Sequence, residues 1–239
     1  MSYVLVGVLS FLGGLVQSIA GFGAGIVMML GFPYIFTPLI QASGISATCN
    51  TFLNYSLVWR YRKIIEWKKI ILPASIYLPF STFFIFVSTS LPQKLLKICF
   101  GIFLILLSIY YLTASFRKKE VHMSKPVAIF FFAFSGMCSA LFGIGGPLII
   151  LYFISELKEP KRYISTTQGF FGLTSTYNLI MRIIKGIIGI KQLPVIILGS
   201  LMIILGGLIG SKLINKIDQS KLKMTTYVMV GVAGITNLF

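Results

Sequence analysis

Apolar runs separated by short polar clusters follow one another along almost the whole chain. Many come near or above the roughly 18 residues that a bilayer-crossing helix needs. Residues 3–40 are almost uninterrupted, too long for one straight crossing, and are split by the glycine cluster Ala20-Gly21-Phe22-Gly23-Ala24-Gly25-Ile26 into segments at about 3–20 and 25–40. Pro33 and Pro38 make the second of these irregular, because each removes a backbone donor. Three more segments follow at about 44–60, 70–90 and 94–115. A second series begins at about 126–141, reaches another glycine cluster at Leu141-Phe142-Gly143-Ile144-Gly145-Gly146-Pro147, and continues at about 146–155, 163–181, 193–214 and 221–239. The pattern predicts an all-α polytopic transmembrane bundle with glycine-broken or re-entrant elements.

The two series match in order. Phe22-Gly23-x-Gly25 aligns with Phe142-Gly143-x-Gly145, Thr48 and Asn50 with Thr166 and Gln168, Leu72-Pro73 with Leu193-Pro194, and Gln93 and Lys97 with Gln219 and Lys223. An offset held between 118 and 126 residues points to duplication, with one repeat over 1–119 and the other over 120–239. Charge sets the relative direction of the repeats. If each crosses an odd number of times, the loops at 60–69, 117–125, 158–162 and 212–223 share a side with 16 Lys and Arg. The other side then holds five, at Lys94, Lys97, Arg182, Lys185 and Lys191. Four crossings per half would give 12 against nine, so the positive-inside rule favours inverted repeats with both termini outside the plasma membrane.

Composition agrees with this reading. Of 239 residues 56% are hydrophobic and only 11% charged, with a mean hydropathy of +0.93, against about a quarter charged in soluble domains. The net charge of +16 lies mostly in loops, as expected of a lipid-embedded protein and not of a nucleic-acid binder. Cys49, Cys99 and Cys138 sit in apolar segments without metal-ligand spacing, and His122 falls in a charged loop. No signal peptide, metal site or cofactor is expected, and the spans carry no cluster suited to catalysis.

The chemistry is therefore sought at the glycine breaks. A helix restarting after such a break exposes N–H groups and a positive dipole end, which favour anions. The expected donors are Gly23, Ala24, Gly25 and Ile26 in one half and Gly143, Ile144, Gly145 and Gly146 in the other. Close helix packing is the competing use of such glycines. Gln17, Asn50, Asn54, Gln168 and Asn178 are amides within apolar segments, where an unpaired polar group is costly, and Asn50 and Gln168 rank first because both halves place an amide there. All five acidic residues fall in loops or at segment ends, so a buried cation would lack a counter-charge.

Gly143-Ile-Gly-Gly-Pro147, the looser Gly21-Phe-Gly-Ala-Gly25, Ser46-Ala47-Thr48, the basic stretch Arg60 to Lys69 and Leu91-Pro-Gln-Lys-Leu-Leu-Lys97 occur in an order that resembles the TauE/SafE family of sulfite exporters, the TSUP permeases. The resemblance covers essentially the whole chain. It implies export of small sulfur-containing or organic anions such as sulfite or sulfonates, with the lipid bilayer and a small anion as partners. Homodimer assembly stays open, as do a permease for sulfur species using Cys49 and Cys138, a passive anion channel, and an embedded enzyme or assembly subunit.

Overall fold

The computed structural model describes residues 2–115, 123–157, 159–213, 228 and 230–236. Among these residues there is no strand. The helices are α1 (Ser2–Ala20), α2 (Ala24–Met29), α3 (Phe32–Ile35), α4 (Leu39–Tyr61), α5 (Trp67–Ser88), α6 (Gln93–Ser115), α7 (Lys125–Phe142), α8 (Gly146–Glu156), α9 (Pro160–Ile184) and α10 (Leu193–Leu213). Residues 230–236 are also helical. Five helices, α1, α5, α6, α7 and α10, are long and apolar enough to cross a membrane. The chain is a multi-pass, all-helical membrane protein.

Both glycine clusters turn the chain back on itself. Gly21 and Gly143 adopt φ of 86° and 70°, values that cost a glycine nothing and a residue with a Cβ a good deal. After the first turn, α2 and α3 run back along α1, with Gly23 near Val16, Ala24 and Met28 beside Gly13, and Gly31 against Leu9. After the second, α8 returns along α7, placing Tyr152 edge-on to Phe132. With 6, 4 and 11 residues, α2, α3 and α8 are each too short to span the roughly 30 Å hydrocarbon core at about 1.5 Å per residue.

The centre is built by α4 and α9. They run antiparallel: Gly44 lies against Ile187 and Ile188, Asn54 bonds Ser175, Val58 abuts Gly172, and the Glu66 N–H donates to Thr166. Their polar residues face protein, which is why helices of 23 and 25 residues are absent from the strongly apolar set. On one flank α1 packs on α10, and on the other α7 packs on α5. The α1–α10 contact is parallel and backbone-close, with Gly7 facing Met202, Gly14 facing the Ile203 carbonyl, Gly206 the Phe11 carbonyl, and Gly210 the Leu15 carbonyl at 2.7 Å from where a Cβ would stand. Small residues permit this approach. A second apolar cluster, including Ile70, Tyr77, Phe132, Phe153 and Phe170, joins α5, α7, α8 and α9.

Several boundaries differ from the sequence expectation. The segment expected at 25–40 is divided at Gly31, and α4 starts at Leu39 because Pro38 stands at its N-cap and Gln93 Oε1 accepts the Leu39 N–H at 3.1 Å. Helix α9 continues to Ile184, so Arg182 is not a loop residue: it is 1% exposed inside the bundle. The stretch 62–69, from the end of α4 into α5, meets the corner between α8 and α9, tied by Lys69–Glu156 at 2.7 Å and Arg162–Glu66 at 3.3 Å. These are two of the basic regions assigned above to one side. Most of the segment at 221–239, with His122, Glu120, Asp218 and Gln219, lies outside the described residues.

Candidate functional site: where the glycine breaks meet

The tips of the two turns touch. A Cβ on Gly25 would stand 2.7 Å from the Gly143 carbonyl oxygen, so the start of α2 lies against the end of α7. Beside this contact is a cavity of about 60 Å³, several times the roughly 10–15 Å³ that one water needs on the same measure. Gln17, Gly23, Gly25, Asn50 and Asn54 line it from one half, and Gly143, Gly145, Gly146 and Asn178 from the other. Tyr77, Ser139, Thr174 and Ser175 also line it, with Phe22, Ile26, Ala47, Ile144, Pro147 and Phe171 supplying apolar wall. No lining residue carries a formal charge.

Two hydrogen-bonded chains shape the walls. In the first, Gln17 Oε1 accepts the Ala24 N–H at 3.2 Å, Gln17 Nε2 donates to Asn54 Oδ1 at 2.8 Å, and Asn54 Nδ2 donates to Ser175 Oγ at 3.3 Å. It runs from the tip of α2 through α1 and α4 to α9. In the second, Ser81 donates to Asn178 Oδ1 at 2.8 Å, and Asn178 Nδ2 reaches Ser139 Oγ at 3.3 Å and the Tyr77 hydroxyl at 3.5 Å. Gln17, Asn54 and Asn178 are all nearly inaccessible, at 2%, 2% and 3%. Each thus recovers in protein the bonds it loses with water.

The expected backbone donors are only partly available. Gly143 N–H is used by Ser139 O at 3.0 Å as the last turn of α7 closes, and Ala24 N–H by Gln17. Those of Gly25, Ile26, Gly145 and Gly146 have no acceptor among the described residues. Since α2 has only 6 residues, its dipole is small, and the local N–H groups matter more than a macrodipole.

Two expected residues sit elsewhere. Ala24 is completely buried with its N–H engaged, outside the lining. Gln168 is 1% exposed and donates Nε2 to the Gly21 carbonyl at 2.8 Å, bracing the first turn from outside the cavity. Asn50 does line the cavity, and its Oδ1 has no partner among the described residues. Gly21 and Gly143 follow the ends of α1 and α7, and Gly23 and Gly145 precede α2 and α8. Beside each break one polar side chain of the incoming helix meets an amide of a central helix, Gln17 with Asn54 and Ser139 with Asn178.

The residues that sequence reasoning missed are Tyr77, Ser139, Thr174, Ser175 and, behind the wall, Arg182. Ser139 carried a signal: it stands four residues before Gly143, as Gln17 stands four before Gly21. Arg182 is one turn beyond Asn178, and its Nη2 donates to the carbonyls of Ser139 at 2.7 Å and Ala140 at 2.9 Å. Cys49 lies against the Ile196 carbonyl and Cys138 is buried in the core, and neither lines the cavity.

The family model described as sulfite exporter TauE/SafE matches residues 6–236. The chain belongs to the TauE/SafE family. A curated protein of Methanocaldococcus jannaschii, named as a probable membrane transporter protein, is 28% identical over 246 residues, covering 95% of this chain and 92% of the relative. No solved structure matches the chain. As a TauE/SafE protein it is a membrane transporter or permease.

Proposed function

We propose that this TauE/SafE chain exports small anions such as sulfite or sulfonates across the plasma membrane, by alternating access around the cavity between the two glycine breaks. The observation that carries the reading is the cavity lining itself: amides, hydroxyls and unpartnered N–H groups converge there, and no carboxylate does. Such a lining solvates an anion and repels nothing negative, whereas a cation would find no counter-charge. The interior-negative potential favours outward movement of a monoanion by about 2.3 kcal/mol per 100 mV.

Two inverted repeats, over 1–119 and 120–239, are the architecture we assign to this mechanism. In its support, the corresponding central helices α4 and α9 run antiparallel, and α1 on α10 is answered by α7 on α5. With Arg182 inside the protein, the Lys and Arg balance of the inverted arrangement becomes 16 against four, which supports both termini outside. A reporter fused at Phe239 is expected to be active outside the cell, and a cytoplasmic signal would sink this orientation.

The direct test of substrate class uses purified protein and its Asn50→Leu variant, titrated with sulfite, methanesulfonate and small carboxylates by calorimetry. Because Asn50 Oδ1 gives up no protein partner, the variant is expected to keep its melting temperature and lose anion binding. Unchanged binding in Asn50→Leu would remove the cavity as the anion site. Saturable counterflow in proteoliposomes then separates a carrier from a channel.

A further inference from the structure

Arg182 is the largest fully buried side chain, 1% exposed, and it has no carboxylate partner among the described residues. The described acids Glu66, Glu156 and Glu159 are all paired with Lys69 or Arg162 at the basic end of the bundle. Only one nitrogen of the guanidinium is hydrogen-bonded. Nη2 holds the Ser139 and Ala140 carbonyls, while Nε and Nη1 meet no acceptor among the described residues. A charge removed from water without a counter-ion is expensive, and capping two carbonyls at a helix C-terminus offsets part of that cost. A neutral donor would cap them without the charge.

The position of the charge accounts for keeping it. Arg182 follows Asn178 by one turn on the same face of α9. The residue whose carbonyl it holds, Ser139, puts its side chain in the cavity wall, where Asn178, one turn before Arg182, donates to it at 3.3 Å and reaches the cavity-lining Tyr77 hydroxyl at 3.5 Å. The guanidinium therefore stands one residue behind a wall that bears no charge of its own.

We propose that Arg182 is the fixed counter-charge of the anion site: a positioning residue that raises the potential of the cavity and orients Ser139 and the end of α7. This inference rests on the reading of the cavity as an anion site. It selects by charge, so an anion is held and a neutral molecule of the same shape is not.

The test compares methanesulfonate with its neutral isostere dimethyl sulfone, by calorimetry on the full-length protein in nanodiscs. The wild type is expected to bind methanesulfonate at least about tenfold more tightly. Arg182→Gln, which keeps a donor for the carbonyls, is expected to lose about tenfold or more in methanesulfonate affinity and nothing for the sulfone. Arg182→Lys, which keeps the charge, is expected to retain most of the discrimination. Equal losses for both probes in both variants would mean that Arg182 is only a helix cap, and would overturn the proposal. If Arg182→Gln does not fold, the wild-type ratio decides, since equal affinity for the two probes also overturns it. Anion binding that survives Arg182→Gln defeats the counter-charge alone, while a wild type that binds neither sulfite nor methanesulfonate defeats the anion site as well.

Discussion

Gln17 and Asn54, 37 residues apart, are joined by a 2.8 Å hydrogen bond between two side chains that are each 2% exposed. The bond matters because Gln17 also receives the first N–H of α2 and Asn54 also donates to Ser175. One amide pair thereby links the tip of the first break to both central helices.

Removing one member of that pair strands the other. Asn54→Leu is expected to destabilise by about 1–3 kcal/mol, the usual cost of a buried polar group left without its partner. The double variant Gln17→Leu with Asn54→Leu should cost less than the sum of the single changes. Thermal unfolding in detergent, arranged as a double-mutant cycle, measures the coupling, and strict additivity would show that the two side chains do not depend on each other.

Glycine at 145 is demanded by packing before any ligand arrives. A Cβ there would stand 2.8 Å from both the Ser135 carbonyl and the Ser139 Cβ, so Gly145→Leu is expected to abolish folded protein and not merely transport. Gly146→Ala meets only the tip of the Phe171 ring, at 3.0 Å, and should fold. Size-exclusion profiles of the two variants decide this. A well-folded Gly145→Leu would contradict the close approach of α7 and α8.

The α1–α10 contact makes a similar demand without any link to the cavity. Gly206→Val would drive a side chain into the Phe11 carbonyl, whereas Gly7→Ala finds only Met202 Cγ at 3.7 Å. The first is expected to unfold the protein and the second to change its stability by no more than about 0.5 kcal/mol, as chemical unfolding in detergent would show.

The ion pair Lys69–Glu156 joins exposed groups, with side chains 43% and 38% accessible. Lys69→Ala should cost at most about 1 kcal/mol, less in high salt. A larger or salt-independent loss in chemical unfolding would show that the pair holds the basic end together more firmly than exposed geometry allows.

Replacing Cys49 and Cys138 together with serine should leave anion flux through reconstituted vesicles intact, because neither thiol lines the cavity. Loss of flux without loss of folded protein would revive a direct role for sulfur chemistry.

Composition and pattern alone determined that this chain lives in a bilayer, that its long helices are interrupted at two glycine clusters, and that amides would gather near them. These follow from one-dimensional physics: apolar length sets spans, and glycine permits turns that other residues resist. Which amide faces which was decided only in three dimensions. Gln168 carries the same chemistry as Asn50, yet a different helical register sends it to the Gly21 carbonyl and leaves the cavity to Asn50. Arg182 read as a loop cation because it stands near Lys185 at the end of an apolar run. The fold buries it because the end of α7 brings two carbonyls, 43 and 42 residues earlier in the chain, to its side chain. A sequence lays charges out along a line, but burial and partnership depend on which helices cross, and the antiparallel contact of α4 with α9 settles that here.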